Sequence, residues 1–348
     1  MSSKYRSSAT LISLNQAVGT VLAHDITEIR PGQFKGPAFK KGHIITEEDL
    51  PHLSRVGKEH LFVLHLEPGE IHEDDAAIKP CAALAGPGVV FDHNPSEGKI
   101  SLKVAHPGLL KVNVNALTEV NLVPDICCSS RHNNTLVEKG DIVAAARAIP
   151  LVIDEQTLND AVKVAEDAGG IFSVKPFSSP KTGLIITGNE VYNGIIEDKF
   201  APIIKKKLQS FRCEIEGIIF APDKKVEIIR AIKTLLQQGA GLILVAGGMT
   251  VDPDDITKMA INDTGATDVV YGTPVLPGAM FLYGRFGTVP VMGLPACVLF
   301  YRATIFDLIL PRVLAGEIIT RNDLASMAHG GLCLDCDKCR YPVCPFGK

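Results

Sequence analysis

The residues of this chain best suited to chemistry fall between Gly241 and Lys258, in GLILVAGGMTVDPDDITK. Adjacent glycines, Gly247 and Gly248, are followed by Thr250 and by three carboxylates, Asp252, Asp254 and Asp255. Glycine lets an anionic ligand approach the backbone, and free N–H groups at a helix start attract negative charge. Acidic side chains beside such a cradle suit a divalent cation bridging to phosphate, because Mg2+ takes one or two carboxylates together with phosphate oxygens. The competing reading is structural, with Asp254 or Asp255 capping a helix behind a tight turn. A second cluster ends the chain. Cys333, Cys336, Cys339 and Cys344 are spaced C-x2-C-x2-C-x4-C and precede Pro345. Four thiolates so close together suit a tetrahedral Zn2+ or a [4Fe–4S] cluster; the alternative is a tail that takes up metal adventitiously.

The elements that must position the glycine pair are legible around it. Leu242–Ala246 is a short apolar run flanked by glycines, the pattern of a strand buried on both faces. From Gly183 onward, strands and helices alternate. Strands are expected at Leu184–Ile186, Glu214–Phe220, Leu242–Ala246, Asp268–Tyr271 and Val289–Met292. Helices are expected at Phe200–Leu208, at Lys224–Gln238 capped by Asp223, at Ile256–Ile261, and as one long apolar helix over Cys297–Leu310. This alternation predicts an α/β fold with a doubly wound, mostly parallel sheet. Such sheets bind ligands outside the carboxyl ends of their strands. Three loops leave those ends: Thr187-Gly188-Asn189-Glu190, Gly247–Asp255 and Gly293-Leu294-Pro295.

A β-rich α+β region precedes this sheet. Thr46, then Glu47-Glu48-Asp49, then Leu50, Leu53 and Val56 reads as a capped helix stopped by Gly57. Leu61–Leu66 reads as a strand and Glu67–Asp75 as a polar break. Residues 76–150 read as mostly β, and residues 154–169 as an amphipathic helix ended by Gly169-Gly170. Lys175–Thr182, rich in Pro, Ser and Lys, reads as a linker. The expected divisions are therefore 1–75, 76–150, 151–176, 177–318 and a Cys-rich tail, 319–348. His93, His106 and His132 lack ligand spacing, and Cys127-Cys128 reads as a pair of small buried hydrophobes.

Composition sets the outer limits. The 348 residues allow two or three domains. A net charge of −4 argues against nucleic acid held on a basic face. The longest apolar stretch, Phe286–Tyr301, is interrupted by Pro290 and Pro295, so no membrane span is expected. A start without an apolar leader core points to the cytoplasm. In a reducing compartment, four crowded cysteines indicate metal rather than disulfides.

As an ordered set, TGNEV at 187–191, GGMTVDPDDIT at 247–257, LPG at 276–278 and GLP at 293–295 resemble the molybdopterin-binding domain. That domain is shared by the MoeA/gephyrin-type molybdenum insertases and the MogA-type adenylyltransferases. LNQAVGTVLAHDI and KGHIITEEDLPHLSRVGKEHLFV, within 10–66, are similar to the start of the MoeA type. The resemblance implies a ligand, molybdopterin, held by Thr187, Gly188, Asn189, Gly247, Gly248, Met249, Thr250, Asp252, Pro277, Gly278, Gly293 and Pro295. It assigns catalysis to Asp255 and Glu190, which would hold Mg2+ at a diphosphate. It implies a molybdotransferase reaction in which adenylylated molybdopterin and molybdate give molybdenum cofactor and AMP. A client molybdoenzyme and a homodimer are implied by the same analogy. The chain also departs from the insertase pattern. Leu276, Pro277, Gly278 and Ala279 stand where insertases carry lysines in a PGK-like loop. Pro295-Ala296-Cys297-Val298 replaces a PGNP-like loop, and no DGYA-like element is evident near 32–41. Cys297 reads as a small packed residue. The missing lysines favour a non-catalytic carrier or sensor that delivers molybdenum cofactor, whereas the retained Asp255 and Glu190 favour the molybdotransferase. A nucleotide-processing enzyme of the pyrophosphatase type is the third reading.

Overall fold

The computed structural model describes residues 9–64, 68–95, 98–249 and 256–348. The chain divides between Lys175 and Pro176, inside the expected linker.

The first unit carries two hydrophobic cores. In the smaller, strand Ala9–Ser13 pairs with His60–Leu64, and Ile26–Arg30 forms a hairpin with Phe34–Phe39. Leu22, Ile26, Ile45, Leu53 and Leu61 fill it. The capped helix takes the form of a 3-10 turn, Glu47–Asp49, running into helix Leu50–Arg55, with the Thr46–Asp49 capping box in place. The larger core lies among helices Glu73–Leu84, Val114–Leu122 and Glu155–Asp167 and two antiparallel sheets of four and three strands among the described residues. Glu67–Asp75 is not a uniform break. Glu70–His72 is a strand paired with Val152–Asp154, and Glu73, Asp74 and Asp75 form the first turn of a helix. Three acids there match the positive end of the helix dipole, so local polarity marked a helix start. His72 anchors the junction. Burial keeps its pKa below the ordinary histidine value, its Nε2 lies 2.7 Å from the Ala23 carbonyl, and its Nδ1 accepts from Asp74 N–H.

The second unit is the expected α/β fold. Its strands are β1 (Thr182–Thr187), β2 (Ile215–Ala221), β3 (Leu242–Ala246), β4 (Thr267–Tyr271), β5 (Leu282–Phe286) and β6 (Val289–Leu294). Its helices are α1 (Asn189–Tyr192), α2 (Phe200–Gln209), α3 (Lys225–Gln237), α4 (Thr257–Asp263), α5 (Ile305–Leu314) and α6 (Arg321–Ser326). The sheet runs β2-β1-β3-β6-β5-β4; β2, β1, β3, β6 and β4 point the same way, and β5 runs antiparallel between β6 and β4. Every residue of β1 and β3 is buried, because helices cover both faces. Leu184, Ile186, Leu242 and Leu244 face α2 and α5. Ile185, Ile243 and Val245 point the other way, toward α3 and α4, as the two-residue period of a strand requires.

Three local expectations are corrected. The apolar run from Cys297 is not one helix. A 3-10 turn, Ala296–Leu299, is separated from α5 by a break at Tyr301–Thr304. Thr304 and Asp307 form a capping box that starts a new helix, and Pro311 lies inside that helix. Strand β5 was not expected. LYGRF lacks a β-branched run and contains Gly284, and it becomes a strand by pairing with β6 across the Gly287 turn. The N-cap of α3 falls on Lys224; Asp223 instead accepts from the Asn189 N–H at 2.9 Å.

Pro311 has no N–H to give the carbonyl of Asp307, one turn back. The Tyr341 hydroxyl, from the C-terminal segment, donates to that carbonyl at 3.1 Å. Burial pushes the Tyr341 pKa up, which keeps the group a neutral donor. Tyr341→Phe should therefore lower stability by about 1–3 kcal/mol. That cost should shrink when Pro311→Ala supplies a helical N–H. Urea midpoints of the four proteins in this cycle test the coupling; an unchanged cost in the Pro311→Ala background refutes it.

Arg312 of α5 is buried and pairs with Glu317 at 2.8 Å and with Asp323 of α6 at 2.5 Å. Burial works against the Asp323 charge, but the Thr320 hydroxyl and Arg312 outweigh it and bring the pKa down to about 2. The folded-state value lies below the unfolded one, so this contribution is complete above the unfolded pKa. It should fade as pH falls from about 4 to about 2. Stability curves across that range should be flatter for Asp323→Asn than for the parent.

Candidate functional site at the strand tips

The order of the sheet creates the site. From β1 the chain passes to β2 on one side, then crosses back to β3 on the other. Loops after β1 and β3 therefore leave in opposite directions and open a crevice between their carboxyl ends, a topological switch point. The pairs Ile186–Ala246 and Ala246–Leu294 set the tips of β1, β3 and β6 side by side. Tyr271–Leu282 and Leu282–Gly293 bring the β4–β5 loop to the same edge. Thr187-Gly188-Asn189, Gly247-Gly248-Met249, Leu276-Pro277-Gly278 and Gly293-Leu294-Pro295 thus all belong to one end of one sheet.

The turn after β3 is held tightly. Gly247 and Gly248 have φ of +102° and +60°, a region that favours glycine. A Cβ on Gly247 would lie 2.4 Å from the Thr187 carbonyl oxygen, and one on Gly248 would lie 2.5 Å from the Thr257 hydroxyl. Thr257, fully buried at the start of α4, donates to the Gly247 carbonyl at 3.1 Å. Its hydroxyl stands 3.5 Å from that of Thr187. Both glycines remain half-exposed, so a ligand can reach this backbone.

Around the turn, Asn189 exchanges hydrogen bonds with Asp223 and ties the β1 loop to the tip of β2. Glu190 is exposed on α1, beside Gly188. Met249 is buried and lies against Gly293, while its carbonyl accepts from the Tyr271 hydroxyl at 2.9 Å. The carbonyl of Pro277 accepts from Ile305 N–H at the start of α5, which pins the loop that ends in Gly278. Pro295 leads into the 3-10 turn containing Cys297, a half-buried thiol whose pKa burial raises. Thr250, Asp252, Asp254 and Asp255 lie outside the described residues.

Sequence reasoning missed Thr257, Tyr271 and Lys258. The Lys258 ammonium lies 4.3 Å from the centre of the Tyr271 ring and supplies a cation at this edge. Its place directly after DDIT was the available signal. Cys333, Cys336, Cys339 and Cys344 line one cavity in the C-terminal segment. Among the described residues, no three His, Cys, Asp or Glu side chains stand grouped to hold a metal ion.

Residues 183–315 match the family described as "Probable molybdopterin binding domain". The second unit carries a domain of this family. Residues 11–65 match a second family, described as a domain of unknown function. Over 151 residues, the chain is 26% identical to a molybdopterin molybdenumtransferase of Haemophilus influenzae, covering 41% of this chain and 37% of that relative. It is 33% identical over 91 residues to a CinA-like protein of Sulfurihydrogenibium, covering 26% of this chain and 22% of that protein. The chain thus spans well under half the length of these curated relatives. A molybdopterin biosynthesis enzyme, MoaB of Thermus thermophilus, aligns at 19% identity with a TM-score of 0.33, covering 40% of this chain and 98% of that one. Among the described residues, no helix is long and apolar enough to cross a membrane.

Thr257→Val removes the donor to the Gly247 carbonyl and should cost about 1–3 kcal/mol. Gly247→Ala should cost more than the roughly 1–2 kcal/mol of an ordinary left-handed residue, because backbone stands in the way. Chemical denaturation gives both values, and a Gly247→Ala cost at or below about 1 kcal/mol would show that the turn is slack.

Proposed function

We propose that the second unit binds molybdopterin at the switch point between β1 and β3 and acts as a Mg2+-dependent molybdotransferase. The observation that carries the reading is the meeting of Thr187-Gly188, Gly247-Gly248 and Pro295 at one sheet edge of a domain of this family. The bare glycine backbone suits a terminal phosphate, which needs close approach and N–H donors rather than side-chain bulk. In this reading Asn189 and, from the family resemblance, Thr250 and Asp252 are assigned to that phosphate, and the Pro277-Gly278 loop to the pterin. Asp255 and Glu190 would hold Mg2+, which supplies charge stabilisation at the diphosphate as AMP leaves.

The absence of lysine from Leu276-Pro277-Gly278-Ala279 supports a second reading, in which the domain carries molybdenum cofactor to a client enzyme without inserting the metal. Lys258 offers a cation near the crevice by another route, and this supports the transferase reading. Purified protein, adenylylated molybdopterin, molybdate and Mg2+ separate the two. A transferase releases AMP only with molybdate present, and Asp255→Asn should slow that release by about a hundredfold or more while pterin is retained. Retention of pterin without AMP release makes the chain a carrier. No retained pterin, measured by oxidised-pterin fluorescence, refutes both.

A further inference from the structure

The four tail cysteines take no part in the site above, and their surroundings call for an explanation. Residues 327–348 contain no helix or strand beyond a single bridge between Leu276 and Leu332. The segment is nevertheless closed and anchored. Gly347 N–H donates to the Gly330 carbonyl at 2.9 Å, which ties the base of a loop that holds all four cysteines. Cys333 N–H donates to the Leu276 carbonyl at 2.8 Å, and Leu276 N–H donates to Gly331. Phe346 is buried in the core of the second unit, and Tyr341 reaches α5.

Cys333, Tyr341 and Cys344 also pack against that core, and the stretches between them stay open. Leu334 is 68% exposed and Val343 is 83% exposed. Ordering the open stretches costs backbone entropy at every residue, and a crosslink or a metal is a usual compensation where secondary structure is lacking. None of the four thiols is in a disulfide. All four line one cavity of about 680 Å³ together with Phe300, Tyr301 and Arg302, and since no three of the thiols stand grouped as ligands, the loop must close further to hold an ion. Lys338 and Arg340 sit within the same loop and Lys348 follows it, offsetting the charge that four thiolates would bring.

We propose that Cys333, Cys336, Cys339 and Cys344 form one four-thiolate metal centre, occupied by a single Zn2+ or a [4Fe–4S] cluster. On binding, each thiol gives up its proton to solvent and becomes a ligand, and the loop tightens round the metal. Spacings of two residues suit either metal. Through the Cys333–Leu276 hydrogen bond, the centre would also brace the loop that continues into Pro277-Gly278. The inference does not depend on pterin binding, and its test uses no pterin.

The test is metal and sulfide analysis of the full chain purified without oxygen. About one zinc per chain, or about four irons with matching acid-labile sulfide, supports the centre and tells the two occupants apart. Cys336→Ser, at the most exposed of the four thiols, should lower metal content at least about tenfold. Cys127→Ser, in the first unit, should leave it unchanged. Should Cys336→Ser fail to fold, Co2+ added to metal-free full chain should give the thiolate-to-cobalt absorption of a tetrahedral site. Protein without zinc or iron whose tail thiols all titrate freely overturns the proposal, as does pairing of those thiols in disulfides.

Discussion

The turn at Gly247-Gly248 is the constraint on which the α/β unit depends. Parallel pairing of β1 with β3 brings the Thr187 carbonyl so close to Gly247 that no Cβ fits between them. The chain must therefore leave β3 through a left-handed backbone. The Thr257 hydroxyl then closes the turn from the far side by taking the Gly247 carbonyl. Where α4 begins, where Met249 enters the core and where Tyr271 finds its hydrogen-bond partner all follow from that exit. The packing that makes glycine necessary also leaves the backbone bare at a sheet edge, so stability and ligand access rest on the same two residues.

The opposite end of the chain shows a similar dependence. Pro311 would ordinarily weaken a buried helix, yet α5 keeps it because Tyr341 supplies the missing donor from thirty residues further on. Arg312, the next residue, joins α5 to α6 through Glu317 and Asp323. Phe346 closes the hydrophobic side. The C-terminal segment is therefore part of the second unit's core, although its composition reads as an appendage.

These two features bear differently on function. The glycine turn, the β1 loop and Pro295 form a surface suited to an anionic, flat ligand, and this supports binding. Catalysis asks for carboxylates at a metal, and the chain offers Glu190 on the rim with Asp255 in the segment after Met249. The Leu276–Ala279 loop, poor in cations, is braced by α5 and by the cysteine segment instead of by charge.

Much of this was written locally in the chain. The run Leu242–Ala246, the alternation after Gly183, the capped turn at Thr46 and the linker near Lys175 rest on periodicity and on Gly, Pro and capping residues, all short-range signals. The order of loops with unusual chemistry was legible for the same reason. Strand β5 was not, because LYGRF becomes a strand only through its partner β6. The break before α5 was hidden inside a continuous apolar run, where hydrophobicity says buried without saying in what shape. Thr257 and Tyr271 were unremarkable until a turn and a carbonyl came within their reach. The sequence by itself determined most of the buried strands and helices and which residue types could bind phosphate or metal, since those properties reside in single side chains and their spacing. Tertiary structure decided which loops share an edge, why Gly247 admits no side chain and what satisfies the carbonyl opposite Pro311. Each of those depends on the distance between groups far apart in the chain, and that distance is set by strand order and register.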